Sequence, residues 1–183
     1  MAQRIAVRRK SQSVFQDFLS GTPARDYVFQ QTPYEEQVRQ AAGMLMKADA
    51  IVVGAGAGLS AAAGLTYGGK RFTDNFGEFI EKYGSMYMSD MYCAGFYPFP
   101  TEEAKWGYWS KHVWLNRIEP GALLLYQKVY ALVKEKPHFV LTTNVDSQFW
   151  KAGFSDENIF ATQGDYGKIQ CKMGCHPKTY DAI

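Results

Sequence analysis

Apolar positions along the chain change period several times, and each change predicts an element. Val38, Ala41, Ala42, Leu45 and Met46 recur at helical spacing between Tyr34 and Ala48, which predicts an amphipathic helix that packs against a sheet. The short continuous apolar run Ala50-Ile-Val-Val53 follows, a strand ending in the glycine turn Gly54-Ala55-Gly56-Ala57-Gly58. Helix is expected from Ser60 to Leu65, a break at Thr66-Tyr-Gly-Gly69, and helix again over 72–82 through Phe76, Phe79 and Ile80. Residues 83–116 are dense in aromatics and methionines, among them Met88, Met91, Trp106, Tyr108 and Trp109. They predict a helical layer covering the sheet; a lid over a small-molecule pocket, hinged at Phe96-Tyr-Pro-Phe-Pro100, is the sharper alternative. Pro120 should open the next helix at its first turn, with Leu123, Leu124, Tyr126, Val129, Tyr130 and Val133 as a broad apolar face. A buried parallel strand at Phe139 to Leu141 then completes a crossover, and a further helix starts near Ser147. The fold class is therefore α/β, a Rossmann-like parallel sheet flanked by helices with a helical, aromatic-rich insertion.

The segment 1–33 stands apart. Arg4, Arg8, Arg9 and Lys10 precede one early acid, Asp17, as in a solvated leader helix, with a faint similarity to a transit peptide. The remainder, 34–183, is enough chain for one domain with a sizeable core, since 46% of the 183 residues are hydrophobic and 15% aromatic. A net charge of +2 supplies no basic field for nucleic acid. No apolar run approaches the roughly 18 residues of a membrane helix. Three cysteines and no secretory signal point to a reducing cytoplasm.

Two places carry candidate chemistry. Gly54, Gly56 and Gly58 let the backbone turn tightly and approach a pyrophosphate, and Gly56-x-Gly58-x-x-Ala61 satisfies the relaxed dinucleotide fingerprint. The acid-terminated second strand of a flavin or nicotinamide fold is missing, because the chain there is Gly68-Gly-Lys-Arg-Phe-Thr-Asp-Asn-Phe-Gly77. A flavin-dependent oxidoreductase is the reading this weakens. Ninety residues on, Thr142-Thr143-Asn144-Val145-Asp146 puts Asn144 and Asp146 at the carboxyl end of a strand, where open α/β sheets hold ligands. The same polar residues would also serve simply to cap the following helix.

These residues resemble the sirtuins, NAD-dependent enzymes that transfer an acyl or ADP-ribosyl group. Gly56-Ala57-Gly58-Leu-Ser60 with Ala63-Gly64 is similar to their first glycine motif, Thr143-Asn144-Val145-Asp146 with Ala152-Gly153 to their asparagine motif, and Gln163-Gly164 falls where their histidine-glycine pair belongs. The resemblance covers about residues 36–181 and stops before the sirtuin C-terminal half-sheet. It implies NAD binding by Gly54, Ala55, Gly56, Ala57, Gly58, Ser60, Ala61, Gly64, Thr143, Asn144, Val145, Asp146 and Gln163, with Arg71 in place of a missing arginine. It also implies that without later strands the Phe139 to Leu141 strand or its neighbour is left with an uncovered edge.

The departures narrow the resemblance. A general base is needed to activate a ribose hydroxyl for deacylation, and the amide of Gln163 cannot accept a proton at neutral pH. Together with Thr162-Gln-Gly-Asp-Tyr166, this is similar to the macrodomain-linked, class M sirtuins of microbes. That branch implies a protein ADP-ribosyltransferase using NAD and acting on a lipoylated carrier like the glycine-cleavage H protein, with Asn144, Asp146 and Gln163 as site residues. The alternatives are an NAD or ADP-ribose-binding module without turnover, and an NAD-dependent deacylase. Sirtuins usually carry a four-cysteine zinc site; Cys171 and Cys175 match its first pair only, with His176 a doubtful third ligand. His112 and His138 have no partner pattern and are expected at the surface or its boundary.

Overall fold

A computed structural model describes residues 33–183. The leader-helix and transit-peptide readings of the N-terminus lie outside the described residues. Helix α1 (Tyr34–Lys47) and the chain from Ala50 onward fall in separate compact units. In α1 the predicted helix is present, with Glu35 and Glu36 in its first turn and Lys47 in its last, charges that suit the helix dipole. None of its residues is buried.

The second unit is built on a parallel sheet of order β1-β2-β3: β1 (Ile51–Ala55), β2 (His138–Thr142) and β3 (Ile159–Ala161). Val53 pairs with Val140, and Val140 with Ile159, so the strands end together at Ala55, Thr142 and Ala161. Parallel strands need a long return connection. Between β1 and β2 it comprises α2 (Ala57–Ala62), α3 (Lys70–Tyr83), α4 (Met91–Gly95), α5 (Glu102–Val113) and α6 (Leu124–Val133). After β2 come the short α7 (Gln148–Lys151), β3 and a separate antiparallel hairpin of β4 (Lys168–Gln170) and β5 (Thr179–Asp181).

The sheet's two faces differ. Val140 and Thr142 are buried on one, whereas Val52, Phe139, Leu141 and Phe160 on the other are exposed, Val52 at 73%. The Phe139 to Leu141 strand is thus central, and the edges are its neighbours β1 and β3, the second of the two expected arrangements; what β2 itself leaves open is a face. The sequence reading of this strand as buried holds for one face of two.

Residues 83–116 hold α4, α5 and the start of a π turn, and they pack into a core shared with α3. Phe72 and Phe76 of α3 pack with Met88, Met91, Ala94 and Tyr108, and Phe79, Tyr83, Tyr97, Phe99 and Trp109 close around them. Its ring pairs are edge-on, tilted or offset-stacked: Phe79 meets Tyr108 at 5.4 Å and 85°, and Phe72 stacks on Phe76 at 5.4 Å and 24°. Asp90 caps α4 and Thr101 caps α5 with side-chain oxygens. Helix α5 runs on into a π turn, Trp114–Ile118, where the Glu119 amide donates to the Trp114 carbonyl at 2.9 Å.

Two expectations need correction. Pro120 does not open α6, which starts at Leu124 with Leu123 at its cap. The Leu123 amide donates to Gln148 Oε1 at 2.9 Å, while Gln148 Nε2 donates to the Gly121 carbonyl at 3.0 Å. A residue distant in sequence therefore fixes where the helix begins. His112 is 1% exposed rather than superficial, held among Tyr67, Tyr108, Trp109 and Tyr166 with neither ring nitrogen hydrogen-bonded among the described residues. Burial, with the Arg71 charge adding to it, drives its pKa down to about 4.

Candidate active site

The strand ends converge as the sequence suggested. Past β1 the chain turns at Gly56 into α2, whose first amides at Ala57 and Gly58 have no intrahelical acceptor. A Cβ on Gly56 would approach Thr143 Oγ1 to 3.3 Å, so the two strand ends nearly touch; a Cβ on Gly58 would meet nothing within 4 Å. The Thr143 amide donates to the Ala55 carbonyl at 3.1 Å and ties the two loops together. Thr142 adds a second tie, donating from Oγ1 to the same carbonyl at 3.0 Å while accepting from the Asn144 amide.

Asn144 and Asp146 are both buried and both fully engaged on their inner sides. Asn144 Nδ2 donates to the Gly56 carbonyl at 3.0 Å and to Tyr126 Oη at 2.9 Å. Asp146 Oδ2 accepts from Ser60 Oγ at 2.5 Å, and Oδ1 from the Gln148 amide at 3.1 Å. The capping role foreseen for Asp146 is therefore real, and it coexists with the Ser60 contact. A carboxylate oxygen has more than one lone pair, so each can still take a donor from a ligand. No cation pairs with Asp146 among the described residues.

These side chains line a cavity of about 500 Å³ with Ala57, Gly58, Ala61, Val145 and Gln163. Tyr67, Tyr92 and Tyr166 form its remaining wall. Burial raises the pKa of both Tyr67 and Tyr166. Gln163 stands exposed at the rim and also lines a neighbouring cleft of about 720 Å³ with Trp150, Asp165 and Lys168. Its loop is anchored from outside: Arg117 donates to Asp165 from Nε at 2.7 Å and from Nη2 at 3.1 Å. Burial pushes the Asp165 carboxyl up, but the Arg117 and Gly167 hydrogen bonds and the guanidinium charge outweigh it and hold it below the usual carboxylate range.

Several candidates sit elsewhere. Gly54 and Ala55 lie within β1, and Gly64, at φ 107°, turns the chain out of α2. Arg71 is committed to the aromatic core: it donates to the Thr66 and Leu115 carbonyls and to Asn116 Oδ1 at 2.8 to 2.9 Å. Cys171 and Cys175 lie in the β4–β5 loop with their sulfurs 3.0 Å apart, and His176 packs on Tyr180. Hydrogen bonds from the Cys175 thiol and neighbouring amides bring the Cys171 pKa down to about 7. Among the described residues no three His, Cys, Asp or Glu side chains converge as a metal set, so the two thiols do not by themselves fit zinc. The sequence reading passed over Tyr126 and Gln148 because both sit where an apolar or capping position was expected. Tyr67 likewise fell in a stretch taken only as a break; Tyr166 stood in a quoted motif without a role.

A glycine turn and buried polar side chains at the carboxyl ends of parallel strands define a Rossmann-like fold of the open α/β class with a cleft at its strand ends. Within that class the fold is sirtuin-like. A triple mutant of a Sir2 homologue in complex with 2′-O-acetyl-ADP-ribose superposes with a TM-score of 0.52 at 16% identity, covering 78% of this chain and 52% of that one. No family model matches the chain. By sequence it is 40% identical over 134 residues to a protein ADP-ribosyltransferase of Staphylococcus aureus, across 73% of this chain and 42% of that protein. It is 36% identical over 138 residues to a probable bifunctional ADP-ribose hydrolase/ADP-ribosyltransferase of Fusarium oxysporum, across 72% of this chain and 22% of that protein. The chain thus spans less than half the length of these curated relatives.

Proposed function

We propose that this chain supplies the NAD pocket of a sirtuin-type protein ADP-ribosyltransferase. The observation that carries the reading is the buried pair Asn144 and Asp146 facing the glycine turn across one cavity, with an amide, Gln163, at its rim. In this reading the carboxylate of Asp146, with no cation partner among the described residues, offsets the positive charge that develops as the ribose C1–nicotinamide bond breaks, and its spare lone pairs suit the carboxamide of the leaving group. The bonding pair leaves with nicotinamide. A nucleophile on a protein substrate then forms the new bond to C1 and gives up its proton. Asn144 orients the ribose, and Gln163 holds a hydroxyl by hydrogen bonds without accepting a proton. That absence of a base at the rim favours ADP-ribosyl transfer over deacylation.

The resemblance to class M sirtuins extends the proposal to the substrate, a lipoylated carrier protein similar to the glycine-cleavage H protein. The three thiols, all free, suit a reducing cytoplasm as its compartment. Calorimetric titration of NAD into the chain, with Asn144→Ala alongside and nicotinamide release followed in parallel, tests the reading. Binding with release that the variant loses supports it. Binding without release selects a sensor module, and no binding removes the NAD assignment from this chain.

A further inference from the structure

We infer that Tyr126 is a positioning residue whose hydroxyl locks the Asn144 amide in one orientation through a one-way hydrogen-bond chain ending on Asp146. The direction follows by elimination. The Gly56 carbonyl can only accept, so the Asn144 atom 3.0 Å from it is the nitrogen. Its second N–H then points at Tyr126 Oη, 2.9 Å away, which must accept. The Ser60 hydroxyl has one proton, and the carboxylate of Asp146 at 2.5 Å, an acceptor only, takes it. Ser60 Oγ therefore accepts across the 2.7 Å contact with Tyr126, and the tyrosine donates. The proton order is Asn144 to Tyr126 to Ser60 to Asp146.

Two consequences are specific to this order. Both N–H groups of Asn144 are used on the protein side, so Oδ1 is the face left for the pocket, an acceptor for a ligand hydroxyl. The order also requires Asp146 ionised, since a protonated carboxyl could donate to Ser60 and reverse the chain. Tyr126 itself is fully buried behind the lining, edge-on to Phe149 at 4.9 Å, and touches no ligand space. Burial, with the Asp146 charge adding to it, outweighs the lowering effect of the Ser60 and Asn144 hydrogen bonds and pushes its pKa up to about 12, so it stays a neutral donor and acceptor throughout the physiological range.

The orientation claim stands on hydrogen-bond geometry alone; its effect on turnover rests on the function proposed above. Tyr126→Phe in the full chain keeps the ring and deletes the hydroxyl. The Asn144 side-chain amide signals in a ¹⁵N–¹H spectrum should shift and lose protection from solvent exchange, without any NAD present. With NAD, nicotinamide release should fall about five- to tenfold, as for one lost hydrogen bond, while the dissociation constant for NAD stays within about twofold. Unmoved Asn144 signals overturn the inference, as does an unchanged rate in a folded variant that binds NAD. Should Tyr126→Phe not fold, Ser60→Ala, which cuts the chain beyond the tyrosine, must move the same signals, and their staying in place is equally decisive. If the parent chain neither binds NAD nor releases nicotinamide, the proposed function fails while the spectrum still decides the role of Tyr126.

Discussion

The pocket and the aromatic core beside it are made by opposite means. At the strand ends, small residues and polar side chains are fixed by directed hydrogen bonds: Gly56, Ser60, Thr142, Asn144 and Asp146 each have a named partner. Around Phe76 the chain is fixed by ring packing, and its polar members are exceptions, with Arg71 and Asn116 satisfied and His112 bare. Hydrogen bonds to solvated alternatives contribute little net stability but strict geometry, whereas buried rings contribute much stability with looser geometric demands. The pocket should therefore fail chemically before it fails structurally, and the core the reverse.

Phe76→Ala should break the core most severely. Phe76 is fully buried against Phe72, Phe79 and Tyr108, and its removal should cost about 3–5 kcal/mol, read as a drop in the denaturant midpoint. A loss under about 1 kcal/mol would mean the rings repack freely and the contrast is false. Asn144→Ala should do the converse: nicotinamide release falls by about 10²–10³-fold, equivalent to roughly 3–4 kcal/mol in the barrier, while thermal unfolding changes little. Unfolding of that variant would show that the pocket's hydrogen bonds also hold up the sheet.

His112 gives the core a pH signature. Its folded pKa of about 4 lies below the value of 6.5 for the free side chain, so the unfolded chain binds the extra proton between them. Stability is then fully present above about pH 6.5, falls as pH drops, and levels below about 4, a total of about 3 kcal/mol. Urea midpoints of the parent and His112→Leu at pH 7, 5 and 4 separate this from carboxylate titration; parallel curves would refute it. The smallest effect sharpens the comparison best. Gly58 lies in α2 with open space around its Cβ position, so Gly58→Ala should raise stability by about 0.5–1 kcal/mol and still weaken NAD binding, because the methyl intrudes on the cavity. Unimpaired binding would place the nucleotide away from the glycine turn.

What the sequence disclosed follows the same division. The strand, glycine turn and helix over 51–62, and the polar strand end at 142–146, depend on local period and on backbone chemistry, and both were legible. The start of α6 was not, because it is set by Gln148 from across the fold. Nor was the burial of His112, since α5 carries aromatic rings on most sides and its periodicity singles out no inner face. Tyr126 looked like one more apolar contact in α6; only the positions of Ser60 and Asn144 around its hydroxyl reveal it as polar in role. The hydrogen bonds of Arg71 to the Thr66 and Leu115 carbonyls and to Asn116 were not legible either, because they join it to the loop and π turn beside it across the fold.

The open face of the parallel sheet has a consequence for handling the protein. Parallel sheets commonly have both faces covered, yet Val52, Phe139, Leu141 and Phe160 stand side by side in water. Four large apolar side chains in one plane should make molecules adhere to one another before any ligand is added. Scattered light should therefore rise faster than protein concentration, and fall back when Leu141 and Phe160 are replaced by lysine. If scattering rises in this way, calorimetry with a nucleotide belongs at dilutions where that self-attraction has vanished.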